Sequence, residues 1–244
     1  MSSTSETGHY KNVVNLKALK TFAINLGPNY SPQKSILKIP YLEALVEEAT
    51  VLHNKVKEQA NTTRIAINNR QIIFEPIKPL ATKIINTMGS TEVKPKTIDD
   101  AKTINAKIQG TRIKKIKMEQ NEEISEKSIS VSRQSYDSIY ENFKSLIDLA
   151  NQDGGYSPEE IEVNSTTLSS IENEMLTANE NVNNENTFLA SKRIARDKRF
   201  YIDEDGLLAV AKGFKKYIRG KYSVNSAEFA QISNLTFKNL NNKK

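Results

Sequence analysis

The chain of 244 residues has no cysteine, no tryptophan and only two histidines. Without cysteine there is no disulfide, no thiolate-held zinc and no cysteine nucleophile, and two histidines are too few for a multi-histidine metal centre. Glycine and proline are scarce, 9 and 7 residues, whereas an all-β chain needs turn formers roughly every 8–12 positions. Long helices are the natural alternative. Apolar residues make up 37%, below the roughly 45–50% of ordinary domains, a figure that also counts glycine, so a wide, deep core is not expected. The longest uninterrupted apolar run is 207–211, far short of the roughly 18 residues of a membrane-spanning helix. The N-terminal MSSTSETGHY has neither a basic n-region nor an apolar h-region. Together these absences predict a soluble, cytoplasmic protein with no transmembrane segment.

Charge is present in both signs. Lys and Arg number 35 against 29 Asp and Glu, a formal net charge of +6. This mild excess permits nucleic acid or acidic lipid as a partner without demanding either.

The chain also resembles itself. The segment from Tyr10 recurs from Tyr136 at a displacement of 126 residues (136 − 10). At that displacement Val13 meets Ile139, Tyr30-Ser31-Pro32 meets Tyr156-Ser157-Pro158, Leu42 meets Leu168, Val56 meets Val182, Arg70 meets Arg196 and Phe74 meets Phe200, and after a small insertion Ile104 meets Ile232. Apolar positions matched in phase around a shared tripeptide argue for an internal duplication. The resulting divisions are a disordered tail at 1–8, helical unit one at 9–109, a charged connector at 110–134, helical unit two at 135–238 and a tail at 239–244.

Each copy reads as the same series of helices. The first carries Tyr10, Val13, Leu16, Leu19 and Phe22 at helical spacing and stops at Gly27-Pro28; its counterpart carries Tyr136, Ile139, Phe143 and Leu146 and stops at Gly154-Gly155. Ser31-Pro32 and Ser157-Pro158 have the form of an N-cap followed by proline at the first helical position, and predict a helix start there. Residues 39–75 and 160–201 then contain no glycine, with prolines only at their ends. Leu42, Leu45, Ala49, Leu52 and Val56, and likewise Leu168, Ile171, Met175, Ala178 and Val182, repeat in the a and d positions of a heptad. A continuous helix of this length would extend about 54 Å. The polar stretches 55–63 and 179–187 leave a solvated segment or a turn as the alternatives. The fold predicted is all-α, an elongated helical bundle built from two pseudo-repeated helical units with long central helices.

The stretches MSSTSETGHYKNV, Ile73-Phe74-Glu75-Pro76, DAKTINAKIQG at 100–110 and SVSRQSYDS at 130–138 resemble an uncharacterised family of helical proteins from Bacteroidota bacteria. The likeness covers nearly the whole chain. It implies a bacterial origin and carries no assigned activity, so no residue role follows from it.

Candidate chemistry is thin. Asp203-x-Asp205-Gly206 has the form of the middle of a calcium loop, but the flanking positions one and twelve fall on Tyr201 and Lys212, neither of them acidic; a turn between helices is the better reading. Adjacent acids such as Glu47/Glu48 and Glu159/Glu160 point about 100° apart on a helix and do not form a catalytic pair. His9 falls in the tail and His53 among polar neighbours, where each reads as a surface residue. No phosphate loop, nucleophile elbow or metalloprotease motif occurs. The site-like signal is basic: Arg112, Lys114, Lys115 and Lys117 in the connector, Lys192, Arg193, Arg196, Lys198 and Arg199 late in the second long helix, and Lys215, Lys216 and Arg219 beyond it. Such residues can bind phosphates while nearby tyrosines stack on bases. The same half also carries an acidic series, Glu159, Glu160, Glu162, Glu172, Glu174, Glu180 and Glu185, which can cancel the patch inside the protein.

The expectation is therefore a non-enzymatic structural or protein-interaction bundle that binds a protein partner or itself, with no cofactor, no metal and no small-molecule substrate. The alternative is a nucleic-acid-binding or nucleoid-associated protein using the basic clusters. A third reading is a helical membrane-active or pore-forming protein.

Overall fold

A computed structural model of the chain describes residues 6–111 and 134–241, and among these residues all regular structure is helical. The helices are α1 (Thr7–Asn25), α2 (Ile39–Phe74), α3 (Ile77–Gly89), α4 (Pro95–Gln109), α5 (Tyr136–Gln152), α6 (Ser165–Asp197), α7 (Leu207–Tyr222) and α8 (Ala227–Ser233). The fold is all-α, as the glycine and proline scarcity predicts. The two long helices are continuous through their polar midsections, 36 residues in α2 and 33 in α6. Those midsections are neither turns nor wholly solvated: Gln59, Thr63 and Asn179 are buried. Gln59 donates to the Glu185 carboxylate, Thr63 Oγ1 lies 3.2 Å from the Glu185 carbonyl, and Lys192 Nζ donates to Gln59 Oε1 at 2.8 Å.

The predicted helix starts at Ser31-Pro32 and Ser157-Pro158 are absent. After each serine-proline pair the chain instead makes a 3-10 turn, Ser35–Leu37 or Ile161–Val163, before the long helix begins at Ile39 or Ser165. The reason is a tyrosine latch. Tyr30 Oη donates to the Leu37 carbonyl at 2.5 Å, and Tyr156 Oη donates to the Val163 carbonyl at 2.7 Å, which closes each loop and holds the serine-proline pair outside a helix. The actual cap of α6 is Asn164, whose Oδ1 accepts from the Thr167 amide at 2.8 Å. The tail limits also differ from expectation. Helix α1 already begins at Thr7, and Leu240 lies within reach of Gly8, so neither 6–8 nor 239–241 is a free end. Gly110, in the left-handed conformation (φ 77°), ends α4; the connector residues 112–133 lie outside the described residues.

The chain forms two compact units, and they do not follow the sequence divisions 9–109 and 135–238. Unit 1 is Met1–Thr63 with Glu185–Lys244, and unit 2 is Arg64–Asn184. Each unit therefore joins the first part of one predicted helical unit to the last part of the other. In unit 1, Val13, Leu16 and Leu19 of α1 and Leu42, Leu45 and Ala49 of α2 share a core with Phe200 and with Leu207, Ala211, Phe214 and Ile218 of α7. In unit 2, Phe143, Leu146 and Ile147 of α5 and Leu168 and Met175 of α6 share a core with Phe74 and with Ile77, Ala81, Ile84 and Met88 of α3. Four buried positions of α3, Ile77, Ala81, Ile84 and Met88, match Leu207, Ala211, Phe214 and Ile218 of α7 at a constant displacement of 130 residues (207 − 77). A helix as long as α2, without glycine and with proline only in its first turn, cannot double back. The elements that precede it and those that follow it consequently find different partners.

Phe214 and Phe143 are fully buried, one in each core. Phe214→Ala and Phe143→Ala are each expected to cost about 3–5 kcal/mol by chemical denaturation. Amide exchange should speed up first in the unit that holds the substitution, and uniform loss of protection throughout the chain would contradict separate cores.

Candidate functional site

The last turns of α6 and the turn that follows it carry five of the twelve predicted basic residues, and four of these, Arg193, Arg196, Lys198 and Arg199, pair with carboxylates. Arg196 is 2% exposed, so it is not available to phosphate. Its guanidinium reaches the Glu6 carboxylate and binds Asp197 through Nη2 at 2.7 Å and Nε at 2.8 Å. Arg193 Nη2 lies 3.3 Å from the same Glu6. Arg199 donates through Nε to Glu48 at 2.8 Å, through Nη1 to Asp205 at 2.9 Å and through Nη2 to Tyr41 Oη at 3.1 Å. Lys198 pairs with Asp203 at 2.8 Å. The adjacent acids Glu47 and Glu48 do diverge: Glu48 holds Arg199, while Glu47 lines a groove with Lys17, Lys20 and Glu43.

After Asp197 the helix widens into a π-helical turn, Lys198–Ile202, which seats Phe200 in the core. Asp203 and Asp205 in the turn that follows bind Lys198 and Arg199, so the calcium-like spelling of 203–206 is a salt-bridged turn. Gly206 is required there because a Cβ would stand 2.2 Å from the Arg199 carbonyl oxygen. Among the described residues no group of acids and histidines is placed to hold a metal ion.

Of the remaining candidates, Lys215 donates to the carbonyls of Ser233 and Leu235, at 3.0 and 2.7 Å, and burial lowers its pKa. Lys216 and Arg219 are exposed on α7. Arg112, Lys114, Lys115 and Lys117 lie outside the described residues.

Both histidines are buried, against the surface placement expected of His9 in the tail and of His53 among polar neighbours: His9 is 8% exposed and His53 6%. Asn12 Nδ2 donates to Tyr201 Oη at 3.2 Å, and Tyr201 Oη lies 2.8 Å from His9 Nδ1. His9 Nδ1 is also 3.8 Å from Asp197. His53 stacks on Tyr10 with ring centroids 5.2 Å apart, and its Nδ1 has no hydrogen-bond partner among the described residues. Burial, aided by Arg196, lowers the pKa of each histidine below the usual 6.5, outweighing the opposing pull of Glu6 on both and of Asp197 on His9. Burial also pushes the Tyr201 hydroxyl up to about 12. This cluster pins α1 to the end of α6.

The cluster has a counterpart in unit 2. At the displacement of 126, His53 corresponds to Asn179 and Arg196 to Arg70. Asn179 Oδ1 and Arg70 Nε are likewise buried without a partner among the described residues. Arg70 lies over the Tyr136 ring at 4.0 Å, and Tyr136 meets Phe74 edge-on at 4.9 Å. The one sequence signal that could have exposed this buried polar layer is the arginine shared by both copies at 70 and 196.

Because His9 and His53 are held neutral in the fold, the unfolded chain takes up protons first as the pH falls through 6.5. Stability is expected to be flat above that value and to fall on acidification toward pH 5. In a His9→Gln, His53→Phe double variant the slope of denaturation midpoint against pH between 7 and 5 should flatten; an unchanged slope would remove the histidines from this account.

No family model matches the chain, and neither a curated protein nor a solved structure matches it.

Proposed function

We propose that this protein is a non-enzymatic, structural and protein-interaction module, made by tandem duplication of a helical unit and able to bind a protein partner or itself. The observation that carries the reading is the pairing of the basic series at the end of α6 and in the turn beyond it: Arg193, Arg196, Lys198 and Arg199 are bound to Glu6, Asp197, Asp203, Glu48 and Asp205. A surface that recognises phosphates must present cations unopposed by carboxylates, and these are opposed. The polar chemistry of unit 1 is used to hold helices together. Duplication is supported by the repeated tyrosine latch, the repeated 3-10 turn and the long helices that begin at 39 and 165. No helix among the described residues is long and apolar enough to cross a membrane. A cytoplasmic location and kinship with the helical Bacteroidota proteins belong to the same proposal.

Titration of fluorescent duplex and single-stranded oligonucleotides at low salt tests the alternative. No saturable binding is expected. Binding that weakens steeply with salt would instead establish a nucleic-acid protein and overturn the reading.

A further inference from the structure

After α8 the chain leaves the helical state, and residues 235–241 run along α1. Asn12 grips the main chain of Lys238 at both ends, donating from Nδ2 to its carbonyl at 2.8 Å and accepting its amide on Oδ1 at 3.1 Å. Asn15 Nδ2 donates to the Thr236 carbonyl at 2.7 Å. Lys215 supplies the carbonyl of Leu235 from the other side. Leu240 closes over Gly8, where a Cβ would stand 2.7 Å from its methyl carbon. Residues 8, 12 and 15 form one stripe of α1 at helical spacing. Their partners 240, 238 and 236 follow the two-residue period of extended chain.

The side chains divide with the same period. Leu235 and Phe237 pack against the unit 1 core, while Thr236 and Lys238 are exposed. Recognition of the backbone by Asn12, Asn15 and Lys215 is indifferent to sequence, so selectivity rests on apolar residues at the first, third and sixth positions of the segment.

Unit 2 fills the corresponding place differently. At the displacement of 126, Gly8, Asn12 and Asn15 become Gln134, Ser138 and Glu141, and α5 is covered by the 15-residue helix α4 through Ile104 and Ile108. Unit 2 thus packs a long helix beside α5 and leaves Gln134 and Glu141 of the corresponding stripe exposed. Unit 1 has a seven-residue α8 and a segment held largely through its main chain instead.

We infer that the α1 stripe of Gly8, Asn12 and Asn15, with Lys215, is a peptide-binding face that the C-terminal segment occupies in cis, and that it accepts an extended segment of a partner protein with apolar side chains in the same pattern. The inference rests on the protein-interaction reading above and names the partner class. An intramolecular occupant competes at the effective concentration of a short tether, in the millimolar range, so a partner must match the pattern well or arrive when the tail is released.

The cysteine-free chain permits a direct test. A fluorophore is placed on an Asn241→Cys variant of the full-length protein, and unlabelled peptide SNLTFKNLN, the sequence of residues 233–241, is added. Anisotropy should fall saturably as the tail is displaced, whereas a peptide with serine in place of the leucine and phenylalanine corresponding to 235 and 237 should not compete. In a full-length Phe237→Ser variant, which weakens the cis occupant, labelled peptide should bind at least about tenfold more tightly than to the unaltered chain. Adding Asn12→Ala and Asn15→Ala should abolish that binding while far-UV circular dichroism stays unchanged. The proposal is overturned if peptide fails to bind the folded Phe237→Ser variant, or if binding survives loss of both asparagines. A fall in anisotropy with protein concentration alone, with a doubled mass by light scattering, would overturn the assigned occupant in favour of a second copy. Nucleic-acid binding in the preceding test would sink the broader reading whatever the peptide does.

Discussion

The constraint on which the structure depends is that the segments 9–109 and 135–238 do not each close a core of their own. Helix α2 is too long and too regular to fold back, so the apolar stripe of α1 and the start of α2 is covered by α7, while that of α5 and the start of α6 is covered by α3. The free energy of burial, about 25 cal/mol for each Å² of apolar surface removed from water, is collected only when segments far apart in the chain meet. Two modest cores from one chain accord with an apolar content too low for a single wide one.

The two units share a framework and differ in what they place at its polar layer. Unit 2 leaves Arg70 over the face of Tyr136, a cation held by a ring. Unit 1 surrounds the matching Arg196 with Glu6, Asp197 and two buried imidazoles. A buried guanidinium is tolerated only when carboxylates and hydrogen bonds replace its water, and Glu6 just before α1 and Asp197 at the end of α6 supply them. The C-terminal segment adjoins this cluster in unit 1, where Asn12 links it to Tyr201 and so to His9.

Much of the candidate site was hidden in the sequence for a definite reason. His9 reads as part of the tail and His53 stands among polar neighbours, yet both are buried: His9 lies against Tyr201 and Asp197, more than 180 positions away, and His53 lies against the Tyr10 ring. The serine-proline pairs spelled a helix cap, and a tyrosine hydroxyl reaching seven residues onward overruled them. Local signals of this kind are decided by whichever hydrogen bond the surrounding packing makes available.

Heptad spacing and the shortage of glycine and proline determined that the chain is helical and which apolar positions of α2 and α6 face a core, because these depend on neighbours one to seven residues apart, while the continuity of both helices through their polar midsections was left to the structure. Only the tertiary structure decided that the halves exchange partners, that the basic series of α6 turns toward carboxylates, and that two asparagines of α1 hold the C-terminal backbone. Pairings between distant segments are chosen by the shape and charge of assembled surfaces, and no local pattern encodes which surface will be opposite.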